Sequence, residues 1–428
     1  MNAINIIPFV VLIGSFVINM PIGLGMMATG ITYLILNGFD LGLFSDIIMS
    51  NIQANSVLIA VPLFIFTANI MESGKVTDYM FTFTKALVGK RKGAMAYINI
   101  ILSLIFSGMT GSALADASGI GIMELSEMKK DGYDDEFSAA ITAATAVVGP
   151  IFPPSIPMVI YALLAGTSVG SLFMGGIIPA VMVCLALGVY VWFISRKRNY
   201  PKGKVFTKSE FFTYAWKALP ALLTPVILLG GIYSGVVTST EAGALAALWS
   251  LVVSIFCYKV MTLKKFLEAV KKTVVQTANI MVMVFGAYIL SYMVARMNIA
   301  TGFAAWFSNI TTNKYIFLLL VNIFVLFLGM IFDTSIIQFV FLPLLLPLVK
   351  ALGIDLIHFG VLVTLNMLIG FVTPPYGILC FITSSLSHVP LKSVFKEVIP
   401  MTIMLLVVLL LVTYIPALSM AIPSAMVR

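Results

Sequence analysis

Apolar runs of about 15 to 25 residues follow one another along the whole sequence, separated by short polar stretches. Inside a bilayer the backbone finds no water, so a spanning run must satisfy its own N–H and C=O groups as a helix. A chain of 428 residues that is 61% hydrophobic and 10% charged, with a mean hydropathy of +1.09, therefore reads as an all-α polytopic membrane protein. No extramembrane stretch is long enough for a second domain. The run Asn2 to Val17 lacks a basic start and is followed at once by another apolar run, so it reads as a first span rather than a signal peptide.

The formal net charge of +8 does not point to nucleic acid, because the basic residues sit in short loops between spans. Those loops are Lys75 to Lys92, Lys129-Lys130, Arg196 to Lys208 and Lys259 to Lys272, with a weaker one at Lys392 and Lys396. The positive-inside rule assigns all five to the cytoplasm of a cell inner membrane, with both termini periplasmic. Cys184, Cys257 and Cys380 lie in apolar runs at unrelated spacing and read as core packing. His358 and His388 are isolated, which argues against a histidine metal site.

Four interruptions shape the topology. The stretch Gly93 to Met128 lies between two cytoplasmic loops and has one polar break, "SGMTGSALAD". A re-entrant hairpin that turns mid-membrane satisfies both flanks, provided that its turn is buried in protein or faces a watery cavity. The span from Phe137 is broken at "GPIFPPS" (Gly149 to Ser155), where prolines cannot continue a helix. The second half repeats the plan, with breaks at "GMIFDTS" (Gly329 to Ser335) and "GFVTPPYG" (Gly370 to Gly377). Pro21 and Thr240 are offset by 219, Gly149 and Gly370 by 221, and Asp116 and Asp333 by 217.

The expected architecture is thus an inverted repeat of five spans plus one re-entrant hairpin in each half, with two broken helices. Residues 1–195 form the first repeat, with hairpin 93–130 and broken helix 137–165. A cytoplasmic linker covers 196–215. Residues 216–428 form the second repeat, with hairpin 315–350 and broken helix 356–387. This pattern is diagnostic of a secondary transporter.

Asp116 and Asp333 are the sharpest polar signals, since a carboxylate at a membrane helix centre costs roughly 2.5 kcal/mol or more. Each can cap its hairpin's outgoing helix, bind a cation, or do both. Sodium prefers hard oxygen ligands, and the breaks supply them: Ser107, Thr110 and Ser112 in the first turn, Gly329, Asp333, Thr334 and Ser335 in the second. Freed carbonyls at Gly149 and Gly370 and the Thr373 hydroxyl add to these. Ser112, Ser155, Asp333 and Thr334, at the starts of half-helices, are candidate contacts to an anionic substrate. A hydroxyl in a membrane helix also commonly bonds its own backbone. Glu241 in "VTSTEAG" reads as a helix-start acid capped by Thr238, Ser239 or Thr240. Arg296 reads as a snorkelling span-end residue, and "TLKKFLEAVKK" as an amphipathic interfacial stretch.

The segments "FSGMTGSALADASGIG", "GPIFPPSIPM", "TSTEAGA", "FDTSIIQFVFLPLLLPL" and "NMLIGFVTPPYGI" together resemble one family. It is the large membrane (M, or DctM-type) subunit of tripartite ATP-independent periplasmic (TRAP) transporters, some of them of the sialic acid type. The resemblance covers nearly the whole chain. It implies an elevator-type, sodium-coupled importer of small organic acids, among them sialic acids and four-carbon dicarboxylates. It also implies two or more sodium ions, a bracing small four-helix membrane subunit, and a periplasmic substrate-binding protein. The chain opens directly on large-subunit sequence, so the small subunit is expected as a separate chain. Carried over by residue, Ser107, Thr110, Ser112, Asp116 and Gly149 would surround one sodium, and Gly329, Asp333, Gly370, Thr373 and Tyr376 the other. Thr110 stands where serine is common, which keeps the hydroxyl. Tyr376 is bulky, so its backbone carbonyl is the plausible donor. "TSTEA" stands where "TPTEA" is usual, which leaves the cap intact.

Two other readings stay open: a stand-alone sodium/dicarboxylate or citrate symporter, and a non-transporting membrane assembly subunit. An enzyme is disfavoured, because no His, Cys or paired-acid cluster has catalytic spacing. The inverted topology has a direct test. Lys90→Cys should label with an impermeant thiol reagent from the cytoplasm and Asn313→Cys from outside; labelling of both from one side would refute it.

Overall fold

A computed structural model describes residues 6–72, 76–299, 302 and 313–426. Lys75, in the first basic stretch, lies outside them. The described residues are helical, with one isolated bridge between Lys92 and Lys202. Short helices α1 (Ile7–Val17) and α2 (Ile22–Leu36) pack together, and α3 (Gly42–Ala54) meets α4 (Val57–Glu72) at a bend of 71°. After α5 (Val76–Val88), a helix–turn–helix follows: α6 (Ala94–Thr110), α7 (Ala113–Ser118) and α8 (Ile120–Lys130). Helices α9 (Asp135–Thr145) and α10 (Ile156–Ala165) flank the first break, and α11 (Val169–Lys197) completes this half.

The second half contains α12 (Lys208–Tyr233), α13 (Ser239–Val252) and α14 (Leu263–Arg296). A second helix–turn–helix joins α15 (Lys314–Gly329) to α16 (Thr334–Ala351), which carries a π turn at Ile337–Phe341. Helices α17 (Leu356–Gly370) and α18 (Ile378–Ser387) flank the second break, before α19 (Leu391–Tyr414) and α20 (Ala417–Met426). Helix α14 packs on α2 and α4, and α4 on α13; α9 packs on α6 and α19, and α15 on α17.

The helix boundaries refine the reading of the sequence. Among the described residues six helices are long and apolar enough to cross a membrane, or up to seven if the bent α3–α4 pair is one span. Proline and glycine punctuation divides the remaining apolar sequence into shorter helices of 10–17 residues. The stretch "TLKKFLEAVKK" is no separate interfacial helix: it is the start of the 34-residue α14, capped by the Thr262 hydroxyl, which accepts from Lys265 N at 3.3 Å. Helix α12 begins at Lys208 rather than near Trp216. There a capping box fixes its start: Thr207 N donates to Glu210 Oε2 at 2.7 Å, and Glu210 N donates to Thr207 Oγ1 at 3.3 Å. Cys380 is buried and Cys184 half-buried, but Cys257 is exposed, so it is not a core residue.

Other expectations match the coordinates. Thr238 and Glu241 form a capping box at the start of α13. Arg296 Nε donates to the Tyr292 hydroxyl at 3.0 Å, at the last turn of α14. The basic end of the first hairpin is held by Glu127, 2.6 Å from Lys85 and 2.7 Å from Lys130. The hydrogen bonds from Lys130 and Lys85 keep the Glu127 carboxyl below the usual carboxylate range.

Each hairpin is tied to the broken helix of its own half by a buried asparagine. Asn99, on α6, donates to Thr142 Oγ1 at 2.7 Å and accepts from Thr145 Oγ1 at 2.5 Å. Asn322, on α15, accepts from Asn366 Nδ2 at its carbonyl (2.9 Å) and at its side chain (3.0 Å), and donates to Thr413 Oγ1 at 2.8 Å. Replacing Asn366 with leucine strands the Asn322 acceptors in an apolar interior. Such interhelical bonds are worth about 1 kcal/mol in membranes, and unsatisfied groups cost more. Asn366→Leu should lower the melting temperature in detergent by a few degrees, whereas Thr213→Val, whose hydroxyl bonds only its own helix at the surface, should leave it unchanged.

Candidate functional site

The four interruptions meet. At the first tip α6 ends at Thr110 and Gly111 turns the chain at φ +60°. A side chain at Gly111 would collide with the carbonyl oxygen of Pro154, so this left-handed, backbone-to-backbone position admits only glycine. Ser112 is extended and caps α7, its hydroxyl accepting from Ala115 N at 3.4 Å. Ser155 caps α10 in the same way, accepting from Met158 N at 3.2 Å while donating to the Pro150 carbonyl. A Cβ at Gly149 would sit 3.7 Å from the Ser112 carbonyl, so the first break abuts the first tip.

The second pair is built alike. Asp333 caps α16, its Oδ1 accepting from Ser335 N at 2.8 Å. Gly329 and Gly370 are packed backbone against backbone: a Cβ on Gly370 would lie 2.5 Å from the Gly329 carbonyl carbon. Gln338 Nε2, on α16, donates to the Pro157 carbonyl at 3.0 Å, tying the second hairpin to the broken helix of the first half.

Two neighbouring cavities open at this junction. The smaller, about 170 Å³, lies between the tips and is lined by Ser112, Pro150, Pro157, Asp333, Thr334 and Ser335, among others. The larger, about 420 Å³, shares Ser112 and Ser335 with it and reaches Thr110. Its far wall comes from α4 and α14 and carries Asn69, Glu72, Lys272, Gln276 and Asn279. Lys272 is paired with Glu72. Asn69 Nδ2 donates to Thr273 Oγ1 and to Gln276 Oε1, both at 2.9 Å. The smaller space faces a carboxylate and hydroxyls, which suits a cation. The larger one faces a lysine–glutamate ion pair and amides, which suits a polar, hydrogen-bonding molecule.

The candidate residues divide accordingly. Thr110, Ser112, Asp333 and Thr334 line these cavities. Gly149, Gly329 and Gly370 lie directly behind the tips. Ser155 is buried and spent on its cap and the Pro150 carbonyl. Ser107 donates to Leu104 O at 2.6 Å and Thr373 to Ile369 O at 2.7 Å, so both hydroxyls serve their own helices. Tyr376 is 54% exposed and stacks on Phe381. Asp116 does not cap its helix, which Ser112 does. It is buried within the hairpin, outside the lining of both cavities, and neither carboxylate oxygen accepts a hydrogen bond of normal geometry. Glu72, Lys272, Gln276 and Asn279 escaped the reading of the sequence. Their signal was a helical spacing of polar residues, with Asn69 and Glu72 three apart and Lys272, Gln276 and Asn279 four and three apart.

The chain matches the family described as the tripartite ATP-independent periplasmic transporter, DctM component, over residues 9–418. It is 38% identical to the sialic acid TRAP transporter large permease protein SiaM of Vibrio cholerae over 413 residues, 96% of each chain. It is 35% identical to the C4-dicarboxylate TRAP transporter large permease protein DctM of Pseudomonas aeruginosa, covering 86% of each. It is 33% identical to the isethionate TRAP transporter permease protein DctMQ of Oleidesulfovibrio alaskensis, covering 96% of this chain and 66% of that one. The fold is similar to the YdaH transporter of Alcanivorax borkumensis, with a TM-score of 0.66 over 86% of each chain at 13% identity. These relatives are transporter permeases and not enzymes. With a matching family description across nearly its whole length and a transporter fold around paired interruptions, the chain belongs to the DctM component family of tripartite ATP-independent periplasmic transporters.

Proposed function

We propose that this chain imports a small organic acid by sodium-coupled secondary transport, a sialic acid or a four-carbon dicarboxylate being the leading substrates. The observation that carries the reading is the meeting of both hairpin tips at a cavity whose opposite wall presents Lys272. The relatives named for sialic acid, C4-dicarboxylates and isethionate share one chemical demand, an anionic head on a small polar body. Lys272 supplies the charge for that head, Asn69, Gln276 and Asn279 hydrogen bonds for the body, and Glu72 holds Lys272 until a substrate carboxylate replaces it.

Sodium fits the oxygen donors around the tips. The Ser112 and Gly149 backbone, with Thr110, would hold one ion; Asp333 and the Gly329, Gly370, Thr373 and Tyr376 carbonyls would hold another. Bound sodium would supply positive charge beside the anion's cavity and stiffen the tips. Asp116 is left out of this set because it lies away from the cavities.

The halves are read as an inverted repeat working as an elevator. The paired breaks and the asparagine ties at Asn99 and Asn322 support this. The larger cavity opens beside Glu72 and Lys272, at helix ends next to the basic loops assigned to the cytoplasm, so the structure is read as inward-facing. A small four-helix subunit and a periplasmic binding protein complete the system in the inner membrane.

Uptake into proteoliposomes holding the small subunit, with binding protein outside, tests each part. Asp333→Asn preserves capping, because asparagine and aspartate cap about equally well. It should insert normally but raise the sodium concentration for half-maximal uptake; unchanged sodium dependence would assign Asp333 to capping alone. Lys272→Gln removes a charged contact worth about 1.5 kcal/mol and should raise KM for substrate about tenfold, with little change in sodium dependence. Robust uptake without the binding protein would instead favour the stand-alone symporter.

A further inference from the structure

On the opposite side of the first hairpin, away from both cavities, α6 and α11 leave a groove of about 520 Å³. Its walls are apolar, formed by Ile100, Ile101, Leu185 and Val189 among others, and Arg91 and Trp192 also line it. Leu185, Val189 and Trp192 are exposed, so the groove opens on the outer, bilayer-facing surface of the helices. Gly188 leaves part of this space: even a Cβ there would come no closer than 3.8 Å to Tyr97.

The charges lie at one end. Arg91 lies three residues before the start of α6, and Arg196 lies in the last turn of α11. Arg196 stacks over the Trp192 ring at 3.9 Å, and Trp192 and Arg91 both line the groove. Two cations therefore converge on the aromatic rim of an apolar groove. Their neighbour Arg198 shows the contrast. It is 2.9 Å from Asp134 and 2.8 Å from Glu397, whereas among the described residues no ion pair includes Arg91 or Arg196.

Separate snorkelling would bring each arginine to the headgroup level, but it would not bring the two together over one groove. We infer that this groove is a binding site for an anionic glycerophospholipid of the cytoplasmic leaflet, its phosphate held by Arg91 and Arg196 and an acyl chain lying between α6 and α11. Basic pockets between membrane helices on the cytoplasmic side recognise lipid headgroups in this manner, and arginine offers the bidentate geometry that phosphate takes. The two arginines at the groove end favour a phosphate-bearing lipid over an extended peptide, whose backbone would find no partners along these apolar walls.

Trp192 reports occupancy directly. Of the four tryptophans, Trp216, Trp249 and Trp306 would be changed to phenylalanine, and the protein reconstituted in phosphatidylcholine with a minor fraction of acyl-brominated lipid. Brominated phosphatidylglycerol should quench Trp192 at roughly tenfold lower mole fraction than brominated phosphatidylcholine. Arg91→Gln with Arg196→Gln should abolish the preference, and Arg91→Lys with Arg196→Lys should retain most of it, which guards against a folding defect. Gly188→Leu, which fills the groove and keeps the charges, should weaken quenching by both lipids. Equal quenching by the two lipids, or a preference that survives the double glutamine variant, would overturn the proposal.

Discussion

Everything at the centre of this protein follows from backbone groups that lose their helical partners inside a membrane. Each break in a buried helix leaves N–H and C=O groups that hydrocarbon cannot satisfy. The chain answers with short side chains placed at the breaks: Ser112, Ser155 and Asp333 cap the helices that restart. Where a side chain does not serve, backbones are pressed together, as at Gly329 and Gly370. Two small cavities open beside these breaks, lined in part by the capping residues Ser112 and Asp333.

The two cavities divide the chemistry. One is enclosed by the hairpin tips and carries a carboxylate; the other is half-walled by α4 and α14 and carries the paired charges of Lys272 and Glu72. They share Ser112 and Ser335, so an occupant of one lies within reach of the backbone that shapes the other. Electrostatic coupling between a cation and an anion needs no contact between them at such separations when water is largely excluded.

The positions of the breaks were legible because proline and glycine cannot be read through: "GPIFPPS" and "GFVTPPYG" interrupt helices where their composition demands. Asp333 was legible for a related reason, since aspartate is a favoured residue where a helix restarts. The setting of Asp116 was not legible, because spacing along a chain does not say which way a helix turns its side chain. Four residues beyond the Ser112 cap, it points into the hairpin and not toward the tip cavities. Glu72 and Lys272 were hidden by their setting. At the ends of apolar runs they pass for loop charges, and only the packing of α4 on α14 makes them a wall. Helix length was less legible, because apolar sequence divided by proline builds short helices as readily as long ones.

The bonds onto α10 carry a consequence for how the protein is made. The Pro157 carbonyl accepts from Gln338, 181 residues further on, and the Tyr161 hydroxyl donates to Leu356 O, 195 residues further on. Chains emerge from the ribosome N-terminus first, so the first half leaves synthesis with its broken helix lacking these partners. The nascent first half is therefore an incomplete object in the bilayer, and its centre closes only when residues 338 and 356 have entered the membrane. A premature stop between the two halves would release a fragment with exposed polar backbone at mid-membrane, a substrate for membrane quality-control proteases.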